Sequence, residues 1–292
     1  LLYLRRLSIQ GSLTERSTRA NTALLTHDNL RNLEELSLPH NELPSEVIVA
    51  IANAPSLANL RVLDLWDNST DTDAARAIAN SPHLHNLIEL ELAWNELGPN
   101  AIDVLTRRQG LPNLARLLMT ENPITDTGLH AIARAESSQT LTELELSYTQ
   151  SSHVGFIALG KSTNLDNLKK LDVSSNRGIT TNAVLALLEG SPGRAISYLD
   201  ISSMSLGDDI AEAIANSPGA AHLEELILTF HRFTDRGITA LANSPHLTNL
   251  WNLNLGTAMS SNRISQAAID QLVNAPHFEG VVFRLPSGFR NP

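Results

Sequence analysis

Cysteine is missing from this 292-residue chain. Its absence excludes a disulfide framework, a thiol nucleophile and any cysteine-ligated metal, and it leaves the redox compartment open. Aromatic residues make up only 4%, so the core must be packed from aliphatic side chains, chiefly leucine. Lysine is confined to Lys161, Lys169 and Lys170, and the formal net charge is −10. A chain this poor in positive charge lacks the basic footprint that holds a phosphate backbone, which argues against nucleic acid. No apolar run approaches the roughly 18 residues of a membrane span, and the opening LLYLRRLSIQ lacks the layout of a secretory signal. A soluble protein that neither crosses a membrane nor binds nucleic acid is therefore expected, with the cytoplasm as the favoured compartment and a secreted effector as the alternative.

What the chain has in abundance is a repeat. The apolar triplet Leu87, Leu90, Leu92 recurs as Leu60, Leu63, Leu65 and as Leu114, Leu117, Met119, a fixed offset of 27 residues. Units begin at Leu4, Leu33, Leu60, Leu87, Leu114, Leu141, Leu168, Ile196, Leu223 and Leu250. A period in this range marks a solenoid, in which each unit buries its apolar face against its neighbours. The xLxL part of each unit alternates apolar with polar residues, the pattern of a short strand buried on one face. Segments such as Asp73 to Asn80 and Asp126 to Arg134 follow, with Ala, Ile and Leu at helical spacing. Each unit thus reads as one strand and one helix.

The spacer phrases IANAP (Ile51–Pro55), IANSP (Ile78–Pro82 and Ile214–Pro218), LANSP (Leu241–Pro245) and LVNAP (Leu272–Pro276) close the helices, since proline cannot continue one and biases its predecessor toward extended backbone. Thr125-Asp126, Gly207-Asp208 and Thr234-Asp235 are expected helix starts. Together LxxLxLxxNxL, seen at Leu33–Leu43, Leu87–Leu97 and Leu114–Ile124, resembles the leucine-rich repeat family, and the unit length and helical second half resemble its ribonuclease-inhibitor-like subclass. The ANSPHL spacers resemble bacterial-type repeats. The resemblance implies an α/β horseshoe of about ten repeats of 27–28 residues, with parallel strands on the concave face and helices on the convex one. It also implies that the asparagine after each strand, at Asn41, Asn68, Asn95, Asn122 and Asn176, bonds neighbouring backbone. Thr149, Met204, His231 and Ala258 replace it later, so a broken ladder is expected in the second half.

One domain, 1–292, is expected: an irregular first repeat (1–32), regular repeats (33–255), and a last repeat (256–292) with an insertion at Gly256–Asn262 and a cap strand at Val281–Leu285. Because the chain starts inside a repeat, further residues upstream are expected.

Stacked strands turn each column of the repeat into a row across the sheet, about 4.8 Å per step. Four such columns hold eleven acids, Glu35, Asp64, Asp67, Glu89, Glu91, Glu121, Glu143, Glu145, Asp172, Asp200 and Glu225, against Arg6, Arg116 and Lys170. Trp66, Trp94, Tyr148, Tyr198 and Phe230 fall in the same columns, and aromatic residues of this kind anchor protein interfaces. Trp251 falls outside them. The candidate partner-binding residues are therefore Asp64, Trp66, Glu89, Glu91, Trp94, Glu121, Glu143, Glu145, Tyr148, Asp172, Tyr198, Asp200 and Phe230.

Catalytic and metal chemistry are poorly supplied. His40 and Asp67 are neighbours in one row, yet no hydroxyl nucleophile completes them. His83 and His85 sit in a loop, with His246 and His277 in separate repeats. The row Glu145, Asp172, Asp200 lacks the six to eight oxygens calcium takes. No enzyme activity, cofactor or metal is expected. The expected function is binding of another protein or peptide, one with basic residues, on the acidic and aromatic concave face. The alternatives are a recognition arm for a catalytic domain outside these residues, and a regulator that occludes a partner enzyme's site.

Overall fold

The computed structural model describes residues 4–13, 17–107, 110–190, 192–256, 264–286 and 289. It divides into two compact units, Leu1–Thr149 and Gln150–Pro292. In the first, β1 (Arg6–Ser8), β2 (Glu35–Ser37), β3 (Val62–Asp64), β4 (Glu89–Glu91), β5 (Arg116–Leu118) and β6 (Glu143–Glu145) pair in chain order, all parallel. Between them run α1 (Thr18–Leu25), α2 (Ser45–Ala52), α3 (Thr72–Ala79), α4 (Pro99–Thr106) and α5 (Thr125–Arg134). The second unit carries parallel β7 (Lys170–Asp172), β8 (Tyr198–Asp200), β9 (Glu225–Ile227), β10 (Asn252–Asn254) and β11 (Val282–Arg284). Its helices are α6 (His153–Gly160), α7 (Thr181–Glu189), α8 (Asp208–Asn216), α9 (Asp235–Ala242) and α10 (Gln266–Val273). Strand β11 lies within the cap segment read from the sequence, whereas residues 257–262 of the expected insertion lie outside the described residues.

In each unit the sheet has one packed and one open face. Leu36, Leu63 and Leu90, at the centres of their strands, are fully buried, while both flanking positions are half-exposed. Burying a leucine contributes roughly 1.5–3 kcal/mol, so the triplets supply much of the cohesion. The helices close the packed side. Helix α3 turns Ala74, Ala75, Ile78 and Ala79 inward, and Asp71 caps it by accepting the amides of Asp73 and Ala74 at 2.9 Å each. Of the expected starts, Thr234 caps α9 through the Arg236 amide. Gly207 precedes α8 with no side chain to offer. Thr125 is itself the first residue of α5, with left-handed backbone at φ 60°, and Ile124 before it makes no side-chain cap.

Strands of three residues leave many backbone groups at turns, and asparagine satisfies them at three places. The spacer asparagines Asn53, Asn80, Asn216, Asn243 and Asn274 each donate to the carbonyl four residues back and close their helix. Asn59, Asn86, Asn113 and Asn249, just before the first leucine, donate to the previous repeat at 2.6–2.9 Å. The third set follows the strand and is buried. Asn122 accepts the amides of Asn95 and Leu97 and donates to the carbonyls of Leu92, Met119 and Thr120. The serine of the NSP spacers does similar work: Ser244 donates to Ala215 and accepts from His246 and Leu247.

His231 corrects the expectation of a broken ladder at its repeat. Its Nε2 donates to the carbonyl of Ile201 at 2.8 Å, thirty residues back, the same bond Asn68, Asn95 and Asn122 make to Leu38, Leu65 and Leu92. An imidazole N–H reaches as an amide does. Burial pushes the imidazole below its ordinary value of 6.5, so it stays neutral. The unfolded chain then takes up a proton near pH 6.5 that the folded chain refuses, and stability is lost as the pH falls through that range.

Asn122→Ala is expected to lower the urea-unfolding free energy by about 3 kcal/mol, because two buried amides lose their acceptor, against about 1 kcal/mol for exposed Asn86→Ala. Equal losses would contradict the ladder's role. His231→Asn should match wild type at pH 8 and lack the loss that sets in as the pH falls below 6.5.

Candidate functional site

On the open face of the first unit, Ser37, Asp64, Glu91, Leu118 and Glu145 occupy one row, with Asp64 and Glu91 in direct register across β3 and β4. The carboxylates are not simply presented to solvent. Asp64 accepts the Trp66 amide at 3.0 Å and the Ser37 hydroxyl at 2.7 Å, and Glu91 accepts the Ala93 amide at 2.6 Å. Each acid folds over its own strand exit, a local side-chain to backbone bond of the kind Asp favours in turns. Burial pushes the Glu91 carboxyl up to about 7, opposed by the Ala93 amide and reinforced by the charges of Asp64 and Glu145.

The adjoining row is paired within itself, two arginines serving three glutamates. Arg6 pairs with Glu35 at 3.1 Å, and Arg116 spans two strands, meeting Glu89 at 2.6 Å and Glu143 at 2.5 Å. Glu143 is buried. Glu89 and Glu143, both candidates for partner contact, are thus committed to Arg116.

The row at the strand exits is His40, Asp67, Trp94, Glu121 and Tyr148. All five have left-handed backbone, with φ between 50° and 59°. Non-glycine residues seldom adopt it. Here the hydrogen-bonding imposes it, since the amides of His40, Asp67, Trp94 and Glu121 each still reach the next repeat's carbonyl at 2.9–3.0 Å before the chain turns to bury the following residue. Trp94 and Tyr148 are about half exposed, at 51% and 47%. His40 bonds Asp67 through Nδ1, as their shared row suggested, and its ring lies 4.0 Å from that of Trp66. Trp66 is correspondingly half-buried.

The second unit repeats the scheme. Asp172 and Asp200 are in register on β7 and β8 and accept the amides of Ser174 and Ser202 at 2.8 Å. Burial, with the charge of Asp200 adding to it, pushes Asp172 up to about 6. Lys170 lies over the Tyr198 ring at 5.3 Å, and burial pushes that phenol up to about 12. Glu225 accepts from Asn252 at 2.9 Å. Ser175, Ser203 and Phe230 continue the left-handed positions, and Phe230 is 45% exposed. Trp251, exposed just before β10, stands outside these rows. Among the described residues, no group of three or more His, Asp or Glu is placed to hold a metal ion. None of the described helices is long and apolar enough to cross a membrane.

A sequence-family model described as Leucine Rich repeat matches residues 83–105, 165–188 and 219–242. Each match takes in a strand and a helix of the units above: β4 with α4, β7 with α7, β9 with α9. Those three segments are leucine-rich repeats, and the fold built from them is that of a leucine-rich repeat solenoid. Among solved structures, a chain of the Rad7 and Elc1 complex from yeast is similar, at a TM-score of 0.59 and 16% identity, over 97% of this chain and 74% of that one. An internalin from Listeria monocytogenes aligns at a TM-score of 0.49 and 16% identity, over 99% and 88%. At such identity the first likeness speaks for the fold alone. The search of curated proteins gave no match.

Reading the leucine-rich repeat rows from sequence missed two features. The carboxylates bond their own backbone, each accepting the amide two positions on, a pattern signalled by an acid three positions before the strand-exit residue. The Arg116 clamp was visible as the one base between Glu89 and Glu143 in a column of acids.

Glu91 binds a proton more readily folded than unfolded, so the stability it gives is complete below its ordinary 4.5 and is lost as the pH rises through about 7. Glu91→Gln keeps an oxygen for the Ala93 amide. It is expected to unfold about 1–2 kcal/mol less readily than wild type at pH 8, discounted for partial solvation, and to equal it at pH 4.5. An unchanged difference across that range would sink this assignment.

Proposed function

We propose that this protein is an interaction module whose open sheet face holds a partner protein or peptide bearing basic residues. Leucine-rich repeat solenoids typically serve as binding surfaces rather than as enzymes, because stacked repeats present an extended face of variable side chains. The observation that carries the reading is the composition of that face. Trp94, Tyr148 and Phe230 are large, half-exposed and held in an uncommon backbone conformation. Beside them the acids Asp64, Glu91 and Glu145 share a row of the first unit that holds no base, and Asp172 and Asp200 share a row of the second in which the base, Arg284 on β11, stands three strands from Asp200. Like charges in register cost stability, and a basic partner would relieve that cost. Trp66, Glu121 and Tyr198 complete the contact set. Glu89 and Glu143 serve it by shaping Arg116.

Repeat length and helical second halves support the ribonuclease-inhibitor-like subclass and a bacterial-type repeat. The unbroken run of units supports one repeat domain over 1–292. The cytoplasm is the compartment we propose, with secretion as an effector the alternative.

Charge reversal would confound the test, because lysine cannot accept the amides that these carboxylates cap. Amide variants keep the bonds and remove the charge. The protein with Asp64→Asn, Glu91→Gln, Asp172→Asn and Asp200→Asn should fold as wild type does by circular dichroism. In affinity capture followed by mass spectrometry it should lose the basic proteins that immobilised wild type retains. Equal retention by both would overturn the proposal.

A further inference from the structure

The strand-exit row of the first unit alternates acid and ring, as Asp67, Trp94, Glu121, Tyr148. Asp67 is spent on His40. The other three are not spent: among the described residues no hydrogen bond, ion pair or ring contact engages the side chains of Trp94, Glu121 or Tyr148. Their backbones are fixed, with Trp94 donating to the Thr120 carbonyl at 3.0 Å and Glu121 to that of Ser147 at 2.9 Å. All three share one conformation, at φ 59°, 58° and 56°, so their side chains leave the sheet from equivalent geometry. At about 4.8 Å per strand, Trp94 and Tyr148 stand about 10 Å apart with Glu121 between them. Two rings enclosing one planar group need about 7 Å between their planes, about 3.5 Å on each side. The interval exceeds that by about 3 Å, room for one planar group and not for two, and the rings must lean toward each other to close on it.

Resting on the partner-binding reading above, we infer that Trp94, Glu121 and Tyr148 form a slot for one arginine side chain of the partner. The guanidinium stacks between the indole and the phenol, and its N–H groups meet the Glu121 carboxylate. Arginine suits the slot better than lysine, because its cation is planar, weakly hydrated and forked to match a carboxylate, whereas an ammonium is compact and strongly hydrated. Burial alone pushes the Glu121 carboxyl up, with no partner to offset it. An arriving cation removes that penalty.

The test uses the intact chain with its tryptophan indoles labelled for NMR, the Trp94 signal being assigned from Trp94→Phe. The probe is a blocked Gly-Gly-Arg-Gly-Gly peptide, compared with its lysine and citrulline counterparts. The arginine peptide should shift the Trp94 indole with a Kd of about 1–10 mM and leave Trp66 and Trp251 still. Lysine and citrulline peptides should bind at least about fivefold more weakly, and Glu121→Gln should weaken the arginine peptide about tenfold with its circular dichroism unchanged. No Trp94 shift, or equal binding of citrulline, overturns the slot. Should the slot fail while the four amide substitutions still abolish protein capture, the binding face stands without it. Should arginine bind while capture is unaffected by those substitutions, the slot stands and the wider face falls.

Discussion

Everything in this protein depends on a backbone constraint: strands three residues long, packed in rows, leave buried amides and carbonyls that the sheet alone cannot pair. An unpaired buried polar group costs as much as a lost hydrogen bond or more. The sequence meets this with asparagine, whose side chain both donates and accepts. One asparagine closes the helix, one precedes the strand and one follows it, and the serine of the NSP spacers and His231 extend the same service. Leucines give the units cohesion, but these polar bonds fix their register.

That register creates the face. Once β4, β5 and β6 are aligned residue by residue, Trp94, Glu121 and Tyr148 are aligned as well. The left-handed backbone at these positions is a consequence of the same bonding, since the chain must donate to the next repeat and then bury the residue that follows. Bulky residues there accept a conformation that asparagine or glycine would adopt more easily. Their half-exposed position in a conformation with a cost is the physical basis on which we propose recognition rather than packing for them.

The repeat length, the buried triplets and the order of elements were legible because they are local and periodic: LxxLxL declares its inward face wherever it occurs. The strand-exit rows were legible too, since a fixed period turns columns into neighbours, and His40 with Asp67 is one such pair. The uses of the acids were not. Whether Glu91 reaches a solvent cation or bends to the Ala93 amide depends on side-chain geometry that spacing does not carry. Glu89 and Glu143 looked equivalent to Glu91 in sequence, and a single arginine between them makes them partners of each other's counter-ion. His231 read as a gap in the ladder because its residue type differs, although its ring N–H supplies the bond the position requires.

The central claim is that scaffold and recognition are carried by different side chains at adjoining positions. Native-state hydrogen exchange on the triple variant Trp94→Ala, Glu121→Ala and Tyr148→Ala tests it most directly. The amides at positions 94 and 121, with those of Asn95 and Leu97, should exchange as slowly as in wild type, while added partner protein protects the wild-type chain and leaves the variant unchanged. Faster exchange across the first unit of the variant, or protection by partner equal to that of wild type, would contradict the account.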